Sequence, residues 1–198
     1  EIPQGSKKKY ELDKATGYII LDRILYTSTH YPANYGFIPR TYADDKDPLD
    51  VLVLCSEALE PMSLVRCYPI GVIVMQDGGK MDEKIVAIPM KDPNYNAYHN
   101  INELPRHVFS EMEHFFTVYK NLEGKNTVVD EAKDREAALE VIEKCLDNYV
   151  ETFCRWIKER KPVLDLADLA IIVVEANSSF QMNDWYSSSG RSYHFLLR

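Results

Sequence analysis

The chain has 198 residues, of which 45% are apolar and 27% charged, the balance of an ordinary globular protein of one domain or one domain with an appendage. Its formal net charge of −8 argues against a nucleic-acid partner, which needs a basic face, and suits a protein that gathers cations. No apolar stretch approaches the ~20 residues of a membrane span, so a membrane partner is not expected.

The first half of the chain is typical of short β-strands separated by turns. Strands are predicted at 9–12, 18–21, 51–54, 65–75 and 84–89. Turn residues lie between them, as in the Asp77-Gly78-Gly79 sequence before the last strand. Residues 36–42 predict an ordered loop. Short strands with regular turns indicate a small barrel or a sandwich.

The second half is helical. Apolar residues three and four positions apart predict a first helix along Leu104, Val108, Met112, Phe115 and Tyr119. Pro105 fits its first turn, and Asn102 or Glu103 can cap it. A second apolar stripe predicts a packing helix over about 134–160, which Pro162 would end.

The composition changes after Pro162. Residues 169–174 are apolar and β-branched, which predicts a strand or a buried segment, and serine-rich loops follow. We therefore expect one domain at 1–161 and a C-terminal appendage of unknown role at 162–198.

Three carboxylates fall within six residues, at Asp45, Asp47 and Asp50, with Pro48 between them and an apolar run directly after. Carboxylates this close repel one another, and without a cation at least one would have a raised pKa. Mg²⁺ takes oxygen ligands from a few carboxylates, water and phosphates, so this cluster indicates a magnesium site. The alternative is a solvated acidic turn before a strand.

Other unusual stretches accompany the cluster. Residues 31–39 are rich in tyrosine, glycine and proline and could present a phenol to a ligand, although such tyrosines also cap cores. Within residues 77–84, Asp77 and Asp82 add carboxylates and Lys84 adds a cationic group, and Tyr119-Lys120 closes the first helix. The carboxylates can bind cations, and the basic groups and phenols can bind an anion. This combination favours metal-assisted phosphoryl transfer to water. Side chains and metals would hold the phosphates, because no glycine-rich phosphate loop is present.

Residues 1–13, 31–39, 45–50 and 77–84 resemble, in order and spacing, the motifs of the family I soluble inorganic pyrophosphatases, especially the bacterial and plant branch. The resemblance covers roughly residues 1–158. It implies an α+β fold, a five-stranded OB-like β-barrel with flanking α-helices, and Mg²⁺-dependent hydrolysis of pyrophosphate to two phosphates. It leaves a homo-oligomer or a monomer open, because bacterial members are commonly hexamers and plant-type members can be monomers.

The resemblance also implies roles by position. Asp47 resembles the general base that takes the proton of a metal-activated water. The metal-binding residues would be Asp45, Asp50, Asp77, Asp82 and, through water, Glu11. The phosphate-binding residues would be Lys9, Arg23, Tyr35, Lys84, Tyr119 and Lys120, with Tyr31 a weaker candidate. Gly78 stands where many relatives carry an acidic or amide residue.

Two alternatives to an enzyme are a binding module and a scaffold without activity. An OB-like module could bind a polyphosphate or an oligonucleotide without chemistry, but a face lined with aspartates would repel a polyanion unless metals were present. A catalytically dead scaffold should have lost a core carboxylate, yet all are in place. The four cysteines, which form no CxxC pair, read as reduced core thiols, so we expect a cytoplasmic enzyme.

Overall fold

The computed structural model describes residues 1–154 and contains a five-stranded sheet, a separate hairpin and two α-helices. The strands are β1 Lys8–Leu12, β2 Ile19–Ile24, β3 Asn34–Phe37, β4 Asp50–Val53, β5 Cys67–Asp77, β6 Lys80–Pro89 and β7 Thr127–Lys133. The helices are α1 Arg106–Val118 and α2 Arg135–Phe153. The predicted α+β class is confirmed.

The large sheet has the order β3-β4-β6-β5-β7, and β1 pairs with β2 in the separate hairpin. β4 and β6 are parallel, which places Asp50 beside Lys84, whereas the other pairs are antiparallel. Gly78 and Gly79 both have positive φ, +58° and +82°, in the tight turn between β5 and β6. This turn favours glycine at both positions, which accounts for Gly78. Within residues 1–154 the hydrogen bonds leave the sheet open, with β3 and β7 at its edges.

Both faces of the sheet are buried, one under each helix. Leu52 of β4 packs in a cluster with Met112 and Phe116 of α1. Its neighbour Val51 faces the other way and packs with Ile142 of α2. Successive residues of a strand point to opposite faces, so a strand covered on both sides is apolar throughout. The run after the acidic cluster is therefore a core strand, and it fixes one end of that cluster.

The first predicted helix is confirmed, and its stripe buries Met112, Phe115 and Tyr119. The predicted cap was wrong. Asn100 caps a short 3-10 helix, Ile101–Glu103, which precedes α1, and Pro105 stands at the N-cap of α1 itself without a side-chain hydrogen bond. Pro105 disfavours a helical conformation at the residue before it, so the 3-10 helix ends at Glu103 and α1 begins separately at Arg106.

The second predicted helix is also present. Asp134 caps it by accepting a hydrogen bond from the Ala137 backbone N at 3.1 Å. It ends at Phe153 with Cys154 as its C-cap, earlier than the predicted residue 160. The segment 169–174 and the appendage 162–198 lie outside the described residues. No helix within residues 1–154 has the length and apolar composition needed to cross a membrane.

Two strands differ from the sequence-based expectation. Asn34–Phe37 forms β3 by pairing with β4, where a loop was predicted, and its length of four residues is too short to give a clear alternating pattern. β7 was not predicted at all. It is an edge strand with charged, exposed residues, the composition that protects a sheet edge and hides the strand from a hydropathy reading.

Candidate active site

The acidic cluster lies in a loop that runs into the first residue of β4, residues 40–50, which we call the acidic loop. The Thr41 hydroxyl accepts a hydrogen bond from the Leu49 backbone N at 2.8 Å and so ties the two ends of the loop together. The Asp47 backbone N donates to Asp45 Oδ1 at 3.0 Å. Lys46 between them has φ +75°, a left-handed conformation that turns the chain sharply. The carboxylates are thus held in a fixed order around a tight bend.

Helix α2 holds the acidic loop from behind. The Tyr42 backbone N donates to the Cys145 carbonyl at 2.9 Å, and Asn148 Nδ2 donates to the Tyr42 carbonyl at 3.2 Å. Lys144 Nζ donates to Asp44 Oδ2 at 2.8 Å. The sequence predicted this helix as packing alone, and these contacts give it a second task, which is to anchor the loop.

Lys84 lies at the centre of the site and is almost completely buried. Its Nζ donates to Asp50 Oδ2 at 2.5 Å and to Asp82 Oδ1 at 2.6 Å. The Tyr35 hydroxyl donates to the same Asp50 oxygen at 2.6 Å. Burial alone would lower the pKa of Lys84, but Asp50 and Asp82 raise it above its usual value, so the ammonium group stays charged.

Asp82 lies close to the negative charges of Asp50 and Asp45. Burial raises the pKa of Asp82, Lys84 opposes that rise, and the charges of Asp50 and Asp45 add to it. A carboxyl under that influence gains from any further cation placed next to it.

Tyr119 and Lys120 lie at the end of α1. Lys120 Nζ donates to Asp77, which is the fourth candidate metal ligand, and we call Asp45, Asp50, Asp77 and Asp82 together the acidic wall. Burial raises the pKa of Tyr119 above its usual value, so the phenol stays protonated and can donate a hydrogen bond. The Tyr31 ring packs on Phe115 at a centroid distance of 4.8 Å, and the Tyr119 ring packs on the same phenylalanine at 5.1 Å, so both tyrosines are also part of the core.

The hairpin β1-β2 supplies the remaining predicted residues. Lys9 on β1 pairs in register with Arg23 on β2. Lys9 Nζ donates to Glu11 on the same strand, and the Arg23 guanidinium donates to Asp22. Glu11 is half-exposed beside Lys9 rather than joined to Asp50 or Asp82.

The base candidate Asp47 also contacts the hairpin. Lys14, in the turn between β1 and β2, donates to the Asp47 carboxylate. That carboxylate is 62% exposed, so it stands at the solvent side of the acidic loop.

Two carboxylates of the site were missed at the sequence level. Burial raises the pKa of Glu1, the charges of Asp50 and Glu11 add to the rise, and its side chain accepts a hydrogen bond from the Leu12 backbone N at 2.7 Å. Glu123 accepts a hydrogen bond from Arg23 Nε at 2.8 Å. The position of Glu123 four residues after Tyr119 could have indicated it, whereas Glu1 has no acidic residue near it before Glu11, so no pattern singles it out.

The donor set fits a hard cation, although the site is arranged around lysines. Across residues 1–154, no three His, Cys, Asp or Glu side chains stand ready-made as a metal-holding group. Lys84 lies between Asp50 and Asp82, and Lys120 lies on Asp77, so ammonium groups balance the carboxylates. All the acidic ligands are carboxylate oxygens, which Mg²⁺ prefers. On metal binding, the carboxylates would exchange their lysine partners for the metal ion.

Comparison with known proteins gives one consistent result. The sequence model of the family described as inorganic pyrophosphatase matches residues 1–150. The soluble inorganic pyrophosphatase 2 of Chlamydomonas reinhardtii is 48% identical over 153 residues, which is 77% of this chain and 80% of that protein. The inorganic pyrophosphatase of Synechocystis sp. is 48% identical over 149 residues, 75% of this chain and 88% of that protein.

The fold leads to the same family. The crystal structure of inorganic pyrophosphatase from Thermus thermophilus superposes with a TM-score of 0.73 at 40% sequence identity. The superposition covers 75% of this chain and 87% of the Thermus chain. The matched part of this chain agrees in extent with the 150 residues of the family match.

Proposed function

The chain belongs to the inorganic pyrophosphatase family, and we propose that it hydrolyses pyrophosphate to two phosphates with Mg²⁺ at the acidic wall and Asp47 as the general base. The activity is that of a hydrolase of inorganic pyrophosphate.

One observation carries the assignment of the site. Lys84 is buried and touches both Asp50 and Asp82, so anionic and cationic groups alternate within hydrogen-bonding distance. Pyrophosphate is a polyanion and needs cations, whereas Mg²⁺ needs anionic oxygens. A site that offers both kinds of charge side by side suits the complex of the two better than it suits either alone.

Carboxylates would be the side chains that hold the metal, with water and phosphate oxygens as its other ligands. We assign Asp45, Asp50, Asp77 and Asp82 as ligands, with Glu11 acting through water. When bound, Mg²⁺ supplies positive charge beside the phosphate oxygens and lowers the pKa of water. Lys84 and Lys120 would then leave the carboxylates that they hold in this structure and donate to phosphate oxygens.

The remaining roles follow from exposure and charge. Asp47 stands at the solvent side of the acidic loop, where its carboxylate can accept a proton from the attacking water. Lys9 and Arg23 would hold phosphate oxygens from the hairpin. Burial, together with the charge of Asp50, raises the pKa of Tyr35, so Tyr35 acts as a neutral donor, as does Tyr119.

A binding module without chemistry remains the second candidate. We propose that the sheet and the hairpin together make the OB-like barrel, since a bridge between Ile2 and Tyr35 brings the N-terminal segment to the free edge of β3.

An OB-like barrel that binds polyphosphate or an oligonucleotide would use basic groups. The net charge of −8 and the acidic wall favour the enzyme.

We propose a catalytic domain at 1–161 and an appendage at 162–198, since every residue assigned to the site lies before residue 124. Limited proteolysis tests this boundary, and a stable fragment that ends near residue 161 would support it.

We also propose a cytoplasmic location, which cell fractionation tests, and a homo-oligomer, which light scattering tests.

The direct test is phosphate release from pyrophosphate. We expect steady release with millimolar Mg²⁺ and almost none after a chelator removes the metal, because neither the water nor the phosphates would then have their counter-charge. Readdition of Mg²⁺ should restore the rate. Binding of pyrophosphate without any phosphate release would favour the binding module instead.

The acid side of the pH profile should depend on Mg²⁺. Burial raises the pKa of Asp82, so as pH falls Asp82 takes up a proton before an ordinary carboxyl of pKa about 4 does. A protonated carboxyl is a poor ligand, and Mg²⁺ competes with the proton. We expect the acid limb of kcat/KM to lie above about pH 4 at low Mg²⁺ and to move to lower pH as Mg²⁺ rises. Profiles at two free Mg²⁺ concentrations test this, and identical acid limbs would contradict it.

A further inference from the structure

Glu123 lies on a rigid turn directly after two residues assigned to substrate. Tyr119 is the C-cap of α1, and a 3-10 helix, Asn121–Glu123, follows Lys120. The Glu123 backbone N donates to the Lys120 carbonyl at 2.9 Å. Gly124 then ends the turn with φ +71°, a conformation in which glycine is favoured. The position of Glu123 relative to Tyr119 and Lys120 is thus set by the backbone.

The side chain of Glu123 reaches across to the hairpin. Its Oε1 accepts a hydrogen bond from Arg23 Nε at 2.8 Å, and the side chain is only 10% exposed. Asp22 accepts a second hydrogen bond, from Arg23 Nη1. Within residues 1–154 no hydrogen bond engages Arg23 Nη2. One nitrogen of the guanidinium therefore remains available to an anion.

The two carboxylates on Arg23 differ in what they can do. Asp22 is the neighbour of Arg23 in the chain and is 36% exposed, so it moves with the strand and is partly screened by water. Glu123 is nearly buried and comes from a different element, so it fixes the direction of the guanidinium in space. Without Glu123, the strongest remaining partner of Arg23 is Asp22, which would draw the guanidinium along β2.

We propose that Glu123 is a positioning residue, which aims Arg23 at a phosphate oxygen of the substrate and keeps it in register with Tyr119 and Lys120. The inference rests on the proposed role of Arg23 in holding pyrophosphate. Glu123 does not touch substrate or metal in this assignment. Its effect should therefore appear in the binding of the diphosphate and should disappear when Arg23 is absent.

The test compares Glu123→Ala and Glu123→Gln with the wild type. Because the Glu123–Arg23 pair forms without substrate, its loss affects binding only through Arg23, whose own charge-assisted contact to a phosphate oxygen contributes roughly 10-fold or more to binding. We expect Glu123→Ala to raise KM for pyrophosphate by about 10-fold, with kcat changed less, and Glu123→Gln, which keeps an acceptor for Nε, to lie between. Calorimetry with methylenediphosphonate in the presence of Mg²⁺ should show the same loss, whereas Mg²⁺ affinity should stay nearly unchanged.

A double-mutant cycle separates positioning from general damage. In an Arg23→Met background, Glu123→Ala should change KM and methylenediphosphonate affinity by less than about two-fold. Glu131→Ala, which removes an exposed ion pair with Lys133 on β7, is the matched control and should leave both unchanged. If Glu123→Ala does not fold, Glu123→Gln carries the same test, since it conserves the shape of the side chain.

The outcomes are distinct. Equal effects of Glu123→Ala in both backgrounds, or an unchanged KM and unchanged analogue affinity in the wild-type background, would overturn the positioning role. A wild-type protein that binds methylenediphosphonate in a Glu123-dependent way without hydrolysing pyrophosphate would refute the proposed function but support the inference. A wild-type protein that does neither would overturn both.

Discussion

Asp47→Asn is expected to lower turnover by about 10²- to 10⁴-fold, the range that general-base catalysis contributes, while the protein stays folded and still binds Mg²⁺. The amide has nearly the same shape as the carboxylate but cannot accept a proton from water. The Asp47 carboxylate is largely exposed, and its ion pair with Lys14 is a surface contact, so its loss should hardly change stability. Steady-state kinetics and thermal unfolding of the same samples measure both effects.

Asp130→Asn is the matched control, because Asp130 lies on β7 and contacts Gln76 rather than the acidic loop. It should retain wild-type turnover. Near-wild-type turnover in Asp47→Asn would remove Asp47 from the base role. A variant that lost Mg²⁺ binding together with turnover would make Asp47 a ligand instead.

Lys84→Met should cause the largest combined loss of stability and substrate binding. Lys84 Nζ balances Asp50 and Asp82 in a nearly buried position, and truncating one side of such a pair costs roughly 3–5 kcal/mol. We expect a lower thermal midpoint without metal, a partial recovery on adding Mg²⁺, and a greater loss of pyrophosphate affinity than of Mg²⁺ affinity. Added Mg²⁺ helps because it replaces the missing positive charge.

Thermal unfolding with and without Mg²⁺, combined with KM measurements, tests this expectation. Lys133→Met removes an exposed lysine from β7 and should change neither quantity by much. A Lys84→Met protein as stable as the wild type in the absence of metal would show that the two carboxylates do not need this lysine. Equal losses of metal and substrate affinity would contradict the assignment of Lys84 to phosphate.

The sequence predicted what depends on neighbouring residues and missed what depends on distant ones. The stripe of α1 and the acidic loop are local patterns, and both are present. The neighbourhood of Asp50 and Lys84 depends on parallel pairing of β4 with β6, strands that are not consecutive in the chain. No spacing rule predicts that register.

The set of charged groups was likewise easier to predict than their pairing. Sequence motifs placed the carboxylates and lysines in one site, but they could not show Lys84 lying between Asp50 and Asp82. Nor could they show α2 holding the acidic loop through Asn148, because that contact joins residues 106 positions apart. Which lysine pairs with which carboxylate depends on how the strands and helices pack, and the sequence motifs carry no information about that packing.

The sequence separations within the site have a consequence for folding. Three of its ion pairs join residues 34, 43 and 100 positions apart: Lys84 with Asp50, Lys120 with Asp77, and Arg23 with Glu123. Closing such loops costs chain entropy before any contact compensates for it, and chains rich in non-local pairings fold slowly. During synthesis Asp50, Asp77 and Arg23 are made before their partners Lys84, Lys120 and Glu123, so none of these three pairs can form until the later residue has been added. The onset of activity therefore marks the completion of folding rather than the formation of any one element.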